Sequence, residues 1–403
     1  MEKKYNIWWG PPRKFSNKFE ERKISWLELF FDLVYAIIIS RTTHWLAINY
    51  KPDGILDYAY LIIIVFWGWY NGSQYYDLHG TPGIRTRLMT LWQMMTIAAL
   101  AVTLYNPSAS AIGNTTIAIA ALQAFITYLW WSVGIYDKEH RKYNKPYTAC
   151  FLIALALIIL TLFVPQPYKR ILFWITLVLN YIPPFIAARI LKGHNSDFSL
   201  SSSMIERLGL FTIIVFGEAI LGVINGMNLF NNLNFNVWLC FGLGILIVFA
   251  LWWIFFALIA DRMGQKGLVK GTVISMIYIV TVASLGMLGA SFPGLMNDLK
   301  SGIDDSPSAS RVIFSVSIAL FLFSIVSLSQ LLIYPEEYYK KRRPIQLLLI
   351  IAGSLPVIYT LFLPVLSLTI YLFCIFLLMF LIIVVITKSW FRVELEHLQD
   401  NDL

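Results

Sequence analysis

The stretch SWLELFFDLVYAIIISRTTHWLA, Ser25–Ala47, decides how the chain is read. It is long and apolar enough to cross a bilayer as a helix, for which about 20 residues suffice. Yet it carries Glu28, Asp32, Arg41 and His44. On a helix, Glu28, Asp32, Tyr35 and Ile39 share a face edged by Thr42 and Thr43, whereas Arg41 and His44 fall on the opposite side. At the α-helical rise, Asp32 lies about 10 Å in from Ser25 and Arg41 about 24 Å. The acids therefore sit in one half of the span and the bases in the other third. A charge near the bilayer centre costs about 2.5–3.5 kcal/mol, so such groups pair with one another or face water.

The rest of the chain has the same character. Of 403 residues, 58% are hydrophobic and 13% charged, where soluble domains are about 45–50% apolar and about 25% charged. Twelve apolar segments, centred near residues 36, 64, 96, 124, 156, 180, 215, 247, 281, 322, 353 and 376, predict an all-α, polytopic integral membrane protein with about 12 transmembrane helices. Lys and Arg test the count independently. With a cytoplasmic N-terminus, all of the 31 basic residues except Arg41, Lys51, Lys169, Arg170, Lys300 and Arg311 fall on the inside. Cytoplasmic loops carry this excess in multi-pass proteins, so both termini are expected in the cytoplasm and the chain in the plasma membrane. The net charge of +8 is then a matter of topology and anionic lipid. The lipid bilayer is the expected partner, and no nucleic acid is called for.

Several classes are disfavoured. Cys150, Cys240 and Cys374 lie far apart in apolar runs, and the five histidines show no ligand spacing, so neither a metal nor a cofactor is expected. No nucleophile–base set or phosphate loop is recognisable, and an enzyme is not expected. About 25 polar and basic residues precede the first span, which does not read as a secretory leader.

Two halves of the sequence echo each other. Glu21-Arg22 precedes Asp32 much as Glu206-Arg207 precedes Glu218, and Trp69 stands before Asp77 as Trp253 stands before Asp261, each Asp opening a D-x-x-G. The offset between these pairs is nearly constant, which predicts a parallel 6+6 duplication about an axis along the membrane normal. The organisation expected is a basic segment 1–24, a first six-helix half 25–192, a Gly/Ser-rich loop 193–203, a second half 204–388 and a tail 389–403.

These patterns nominate the functional residues. Glu28, Asp32, Glu218 and Asn225 are candidates for an ion or solute path, Glu218 lying on one face of its span with Arg207, Ile214 and Asn225. Arg22, Arg41, His44, Glu206 and Arg207 are candidate pairing groups: Arg41 or His44 for Glu218, and Arg207 or Arg22 for Asp32 or Glu28. Glu28, close to the helix end, is equally readable as an interfacial acid. Asp77, Arg87 and Asp261 mark candidate cytoplasmic loops. Pro183-Pro184 reads as a kink, and Trp67, Trp69, Trp130, Trp131, Trp252 and Trp253 as packing or interface aromatics.

The motifs carry a resemblance. WLELFFDLVYAI, WYNGSQYYDLHG with RTRLMTLWQMM, ERLGLFTIIVFGEAIL and ALWWIFF resemble the signatures of the bacterial low-temperature-requirement A family along nearly the whole chain. That resemblance places Glu28, Asp32, Arg87, Glu206, Arg207 and Glu218 on family motif positions, and it implies a growth phenotype in the cold without a biochemical activity. Ser203 stands where the family often carries a histidine. More remotely, FFDLVYAI is similar to the F-S-D motif of a duplicated six-span potassium-channel family, which implies Ile37 as a pore constriction. Two functions are therefore expected: passage of a small ion, solute or proton, or a non-transporting structural or cold-adaptation role in which the charges are interhelical pairs. The oligomeric state is not legible.

Overall fold

The computed structural model describes residues 10–14, 23–81, 83–104, 109–191, 200–260, 262–302, 308–363 and 366–401. Among the described residues thirteen α-helices make the fold, joined by one isolated bridge, Gly264 to Leu332. They are α1 (Trp26–Ile48), α2 (Pro52–His79), α3 (Ile84–Thr103), α4 (Ala109–Tyr136), α5 (Arg141–Leu160), α6 (Tyr168–Tyr181) and α7 (Pro183–Leu191). After them come α8 (Ser202–Met227), α9 (Phe235–Leu258), α10 (Leu268–Ser301), α11 (Ala309–Leu331), α12 (Glu336–Phe362) and α13 (Leu368–Asn401).

Each expected segment centre falls inside a helix. The thirteenth helix arises at Pro183-Pro184. The N–H of Ile182 still reaches the Val178 carbonyl at 3.0 Å, but proline has no N–H to continue the ladder. The chain restarts as α7 with Pro183 in its first turn, where a missing N–H costs nothing. Counting α6 and α7 together, nine stretches among the described residues are long and apolar enough to cross a membrane. α1, α2 and α3 fall outside that set: α1 holds Glu28, Asp32 and Arg41, and the other two are rich in Tyr, Trp, Asn, Gln and Arg.

Large apolar side chains on the outside show what solvent the helices meet. On α13, Phe373, Leu377, Phe380 and Leu381 are exposed, and on α5 so are Leu152 and Ile153. Water does not tolerate apolar faces of that extent; lipid does. The protein is a membrane protein.

The chain divides into two compact units. The first holds residues 1–45, 53–211 and 265–275, and the second residues 46–52, 212–264 and 276–403. The expected joint at 193–203 lies largely outside the described residues, and the division instead passes along α8, after Phe211. In the first unit α4 packs on α3 and α5, and α5 on α6 and α7. The core runs along α2, which buries Tyr58, Phe66, Trp67 and Trp69. In the second unit α9 packs on α13 and α11 on α12. There α8 and α10 approach backbone to backbone, where a side chain on Gly222 would strike the backbone of Gly289.

Candidate functional site

α1 begins with a reciprocal cap. The Ser25 N–H and hydroxyl both donate to Glu28 Oε2 at 2.9 Å, and the Glu28 N–H donates to Ser25 Oγ at 3.4 Å. This S-x-x-E box satisfies two donors that a helix start leaves open. It also pins the Glu28 side chain so that Oε1 turns inward. One turn on, Asp32 lies on the same face.

Arg207 of α8 meets both acids. Its Nη2 donates to Asp32 Oδ1 at 2.5 Å and its Nε to Asp32 Oδ2 at 3.3 Å, while Nη1 reaches Glu28 Oε1 at 3.4 Å. The planar fork suits this two-point grip on Asp32, which the ammonium of a lysine would not reproduce. A fourth group completes the site: the indole N–H of Trp69 donates to Asp32 Oδ1 at 2.7 Å. Trp69 stacks on Phe211 at 4.4 Å between ring centroids, and the guanidinium carbon lies 5.7 Å from the rings of both Phe31 and Trp69. Asp32, Arg207 and Glu28 are 0%, 1% and 2% exposed. Arg207 sits in the first turns of α8, where the helix dipole is unfavourable to a cation; the two carboxylates outweigh it.

Beyond this cluster the first unit holds a succession of buried polar side chains. Gln93 Nε2 donates to the Tyr35 hydroxyl at 2.7 Å and to the Gly68 carbonyl at 2.9 Å. Gln123 and Asn180 exchange two amide hydrogen bonds at 2.9 Å, and the Trp67 indole donates to the Asn180 carbonyl at 3.0 Å. Gly72 leaves the room that Gln93 occupies, since a Cβ there would overlap its amide.

Asp77, expected at a cytoplasmic loop, stands at the end of α2 and is tied into the fold. Its carboxylate accepts from the Ser201 and Ser203 hydroxyls, both at 2.6 Å, and Ser201 Oγ in turn accepts the Met204 N–H. Asp77 thus ties the end of α2 to the start of the helix that carries Arg207. Arg13 closes the same corner, donating to the Asp77 and Leu78 carbonyls at 2.6 and 3.2 Å, as basic groups do at helix C-termini.

The other expected residues lie elsewhere. Ile37 is 50% exposed, on the side of α1 away from the acids. Arg41, His44, Arg87, Glu206 and Asn225 are exposed, and Glu218 is half-buried on α8. Arg41 belongs to the first unit and Glu218 to the second, so a pair between them stays an expectation. Arg22 and Asp261 lie outside the described residues. Trp69 is the residue that sequence reading passed over. In sequence it is no different from Trp67 two positions earlier, and only the fold shows which indole faces the acid.

Comparison with known proteins gives a family and little more. The family described as bacterial low temperature requirement A protein (LtrA) matches residues 23–388. A stretch of 252 residues is 26% identical to the uncharacterized protein RA0937 of Rhizobium meliloti, covering 59% of each chain. The chain therefore spans about three fifths of that relative's length. No solved structure matches.

Proposed function

We propose that this chain, which belongs to the bacterial low temperature requirement A family, moves a small cation, in its simplest form a proton, across the membrane by way of Glu28 and Asp32. One observation carries the reading: two buried carboxylates share a single guanidinium. A guanidinium keeps its proton, so any proton or cation that the group takes up goes to one of its two carboxylates. In a low-dielectric interior an ionised carboxylate is costly, and a proton or another cation relieves that cost. Glu28 is the acid to receive it: Arg207 reaches it by one contact of 3.4 Å and Asp32 by two, with Trp69 a further donor to Asp32 and Ser25 holding the other Glu28 oxygen. Neutralising Glu28 loosens its hold on Arg207 and hence on the start of α8. Glu218 and Asn225 belong to the same reading as later path residues, with twelve spans, a plasma-membrane location and no catalytic chemistry.

A second reading has its own support. All three charges are closed off from the surface and hydrogen-bonded, as an interhelical pin in a non-transporting structural or cold-adaptation protein would be. Purified protein in liposomes loaded with pH- and potassium-sensitive dyes separates the two. The transport reading expects gradient-driven flux that disappears in Asp32→Asn at equal protein abundance. Absence of flux from well-folded wild-type protein, with Asp32→Asn only lowering stability, would establish the pin.

A further inference from the structure

The first unit buries two arginines among its described residues, Arg207 at 1% and Arg85 at 5% exposure. Arg207 is met by two carboxylates, and among the described residues Arg85 is met by none. Arg85 stands in the first turn of α3. Its Nη2 donates to the Ser132 hydroxyl of α4 at 3.0 Å, and its guanidinium carbon lies 5.9 Å from the centre of the Tyr136 ring. The Tyr75 hydroxyl of α2 stands beside it. All three neighbours are neutral. The acids around these helix ends are engaged or turned outward: Asp77 is held by Ser201 and Ser203, Asp137 by His140, and Glu139 is exposed. Arg87, Lys138 and Arg141, all exposed, add positive charge at the same end.

A buried cation without a counterion is costly, and a ring face offsets little of that cost. The dipole at the start of α3 also works against the charge, and Gly83 gives that end no side-chain cap. A guanidinium has five N–H donors and no acceptor. Ser132 takes one of them and gives its own proton to the Leu129 carbonyl at 2.7 Å. The donors left open are not sealed in, since no Arg85 nitrogen is among the buried polar atoms without a partner. Open donors around a positive charge call for an oxyanion.

The surroundings of Arg85 point to the source of that oxyanion. α3 packs on α4, and both show large apolar side chains to the outside: Leu88 and Trp92 on α3, Trp131 and Ile135 on α4. Arg85, Leu88 and Trp92 share a face of α3, with Trp92 about 10 Å deeper. The guanidinium therefore heads an apolar seam that faces lipid. We propose that Arg85 binds the phosphate of an anionic glycerophospholipid, whose acyl chains lie along Leu88, Trp92, Trp131 and Ile135. On the orientation expected from the loop charges, that lipid belongs to the cytoplasmic leaflet. The site does not depend on the transport reading.

Native mass spectrometry of the full chain tests the site, with protein delipidated in a neutral detergent and titrated with phosphatidylglycerol or phosphatidylcholine. Wild type is expected to take one equivalent of phosphatidylglycerol about tenfold more tightly than phosphatidylcholine, the ratio that one charge-assisted contact supplies. Arg85→Gln should lose that preference. Arg87→Gln, which removes an exposed cation two residues away, should keep it. Because Arg85→Gln strands no acid, it is expected to stay monodisperse and to melt no lower than wild type when lipid is absent. Wild type alone already decides the matter if that variant does not fold: equal affinity for the two lipids would overturn the proposal. Equal losses in Arg85→Gln and Arg87→Gln would overturn it too, by reducing the effect to general surface charge. Inorganic phosphate is the last arm. Phosphate binding that needs Arg85, without any preference between the lipids, would assign the site to a soluble anion and remove the lipid.

Discussion

At the residue scale, Arg207 decides what the buried cluster is for. Removing it strands two carboxylates that were paired, and breaking a buried ion pair on one side costs about 3–5 kcal/mol. Arg207→Met is therefore expected to lower the detergent melting temperature strongly. Arg207→Lys should recover part of the loss, because the ammonium keeps the charge but not the fork that grips both oxygens of Asp32. The informative variant is neutral throughout: Glu28→Gln, Asp32→Asn and Arg207→Met together. Replacing a whole buried ionic group by well-packed hydrophobic side chains is often neutral or stabilising, and the Asn and Gln carbonyls here still accept from Trp69 and Ser25, so this triple variant should melt closer to wild type than Arg207→Met does. If the cluster carries a cation, its flux is absent even though its fold is sound. A triple variant that melts like wild type and still moves the cation would show that the charges lie off the path.

At the element scale, α8 is shaped by different demands at its two ends. Its first turns present Arg207 to the acids and are capped through Ser201, Ser203 and Asp77. Farther along, Gly222 and Gly226 face α10: a Cβ on Gly222 would strike the Gly289 backbone, and one on Gly226 would overlap Met296. Small residues four apart let helices approach backbone to backbone, a packing that lipid-embedded bundles use in place of hydrophobic collapse. Gly222→Val is expected to force α8 and α10 apart, giving aggregated or poorly extracted protein on size-exclusion chromatography. Gly209→Ala, at an open position on the same helix, should elute as wild type does. Much of this was legible beforehand and some was not. The shared face of Glu28 and Asp32 follows from the 3.6-residue period alone. That Arg207 answers them was one of the pairings sequence allowed. Trp69 could not be singled out, because an indole looks the same in sequence whether it fills space or donates a hydrogen bond. Asp77 looked like a loop acid because its serine partners lie more than a hundred residues away.

At the scale of the whole molecule, the question is how many helices cross the membrane. Length and apolarity select nine among the described residues, while the periodic apolar segments and the loop charges of the full sequence give twelve. The difference lies in α1, α2 and α3, the helices whose polar residues make the cluster and its neighbours. A site that holds charge lowers the apolarity of the helices that build it, so a hydropathy criterion undercounts where function concentrates. Parity turns this into a test. Nine crossings would leave the chain's two ends on opposite faces, whereas twelve place them on the same face. The basic residues around Lys3, Lys4, Lys388 and Arg392 argue for a shared cytoplasmic face. A fluorescent protein that matures only in the cytoplasm and a phosphatase active only outside it, each fused in turn to either end of the full chain, report the two positions directly. Both ends are expected to be fluorescent and phosphatase-negative. A third phosphatase fusion, inserted after Asn49 between α1 and α2, is expected to be active, since α1 then crosses despite its three charged side chains. Opposite signals at the two ends would mean an odd number of crossings. Together with a silent insertion after Asn49, they would mean that α1 does not cross and would remove Glu28 and Asp32 from any path through the bilayer.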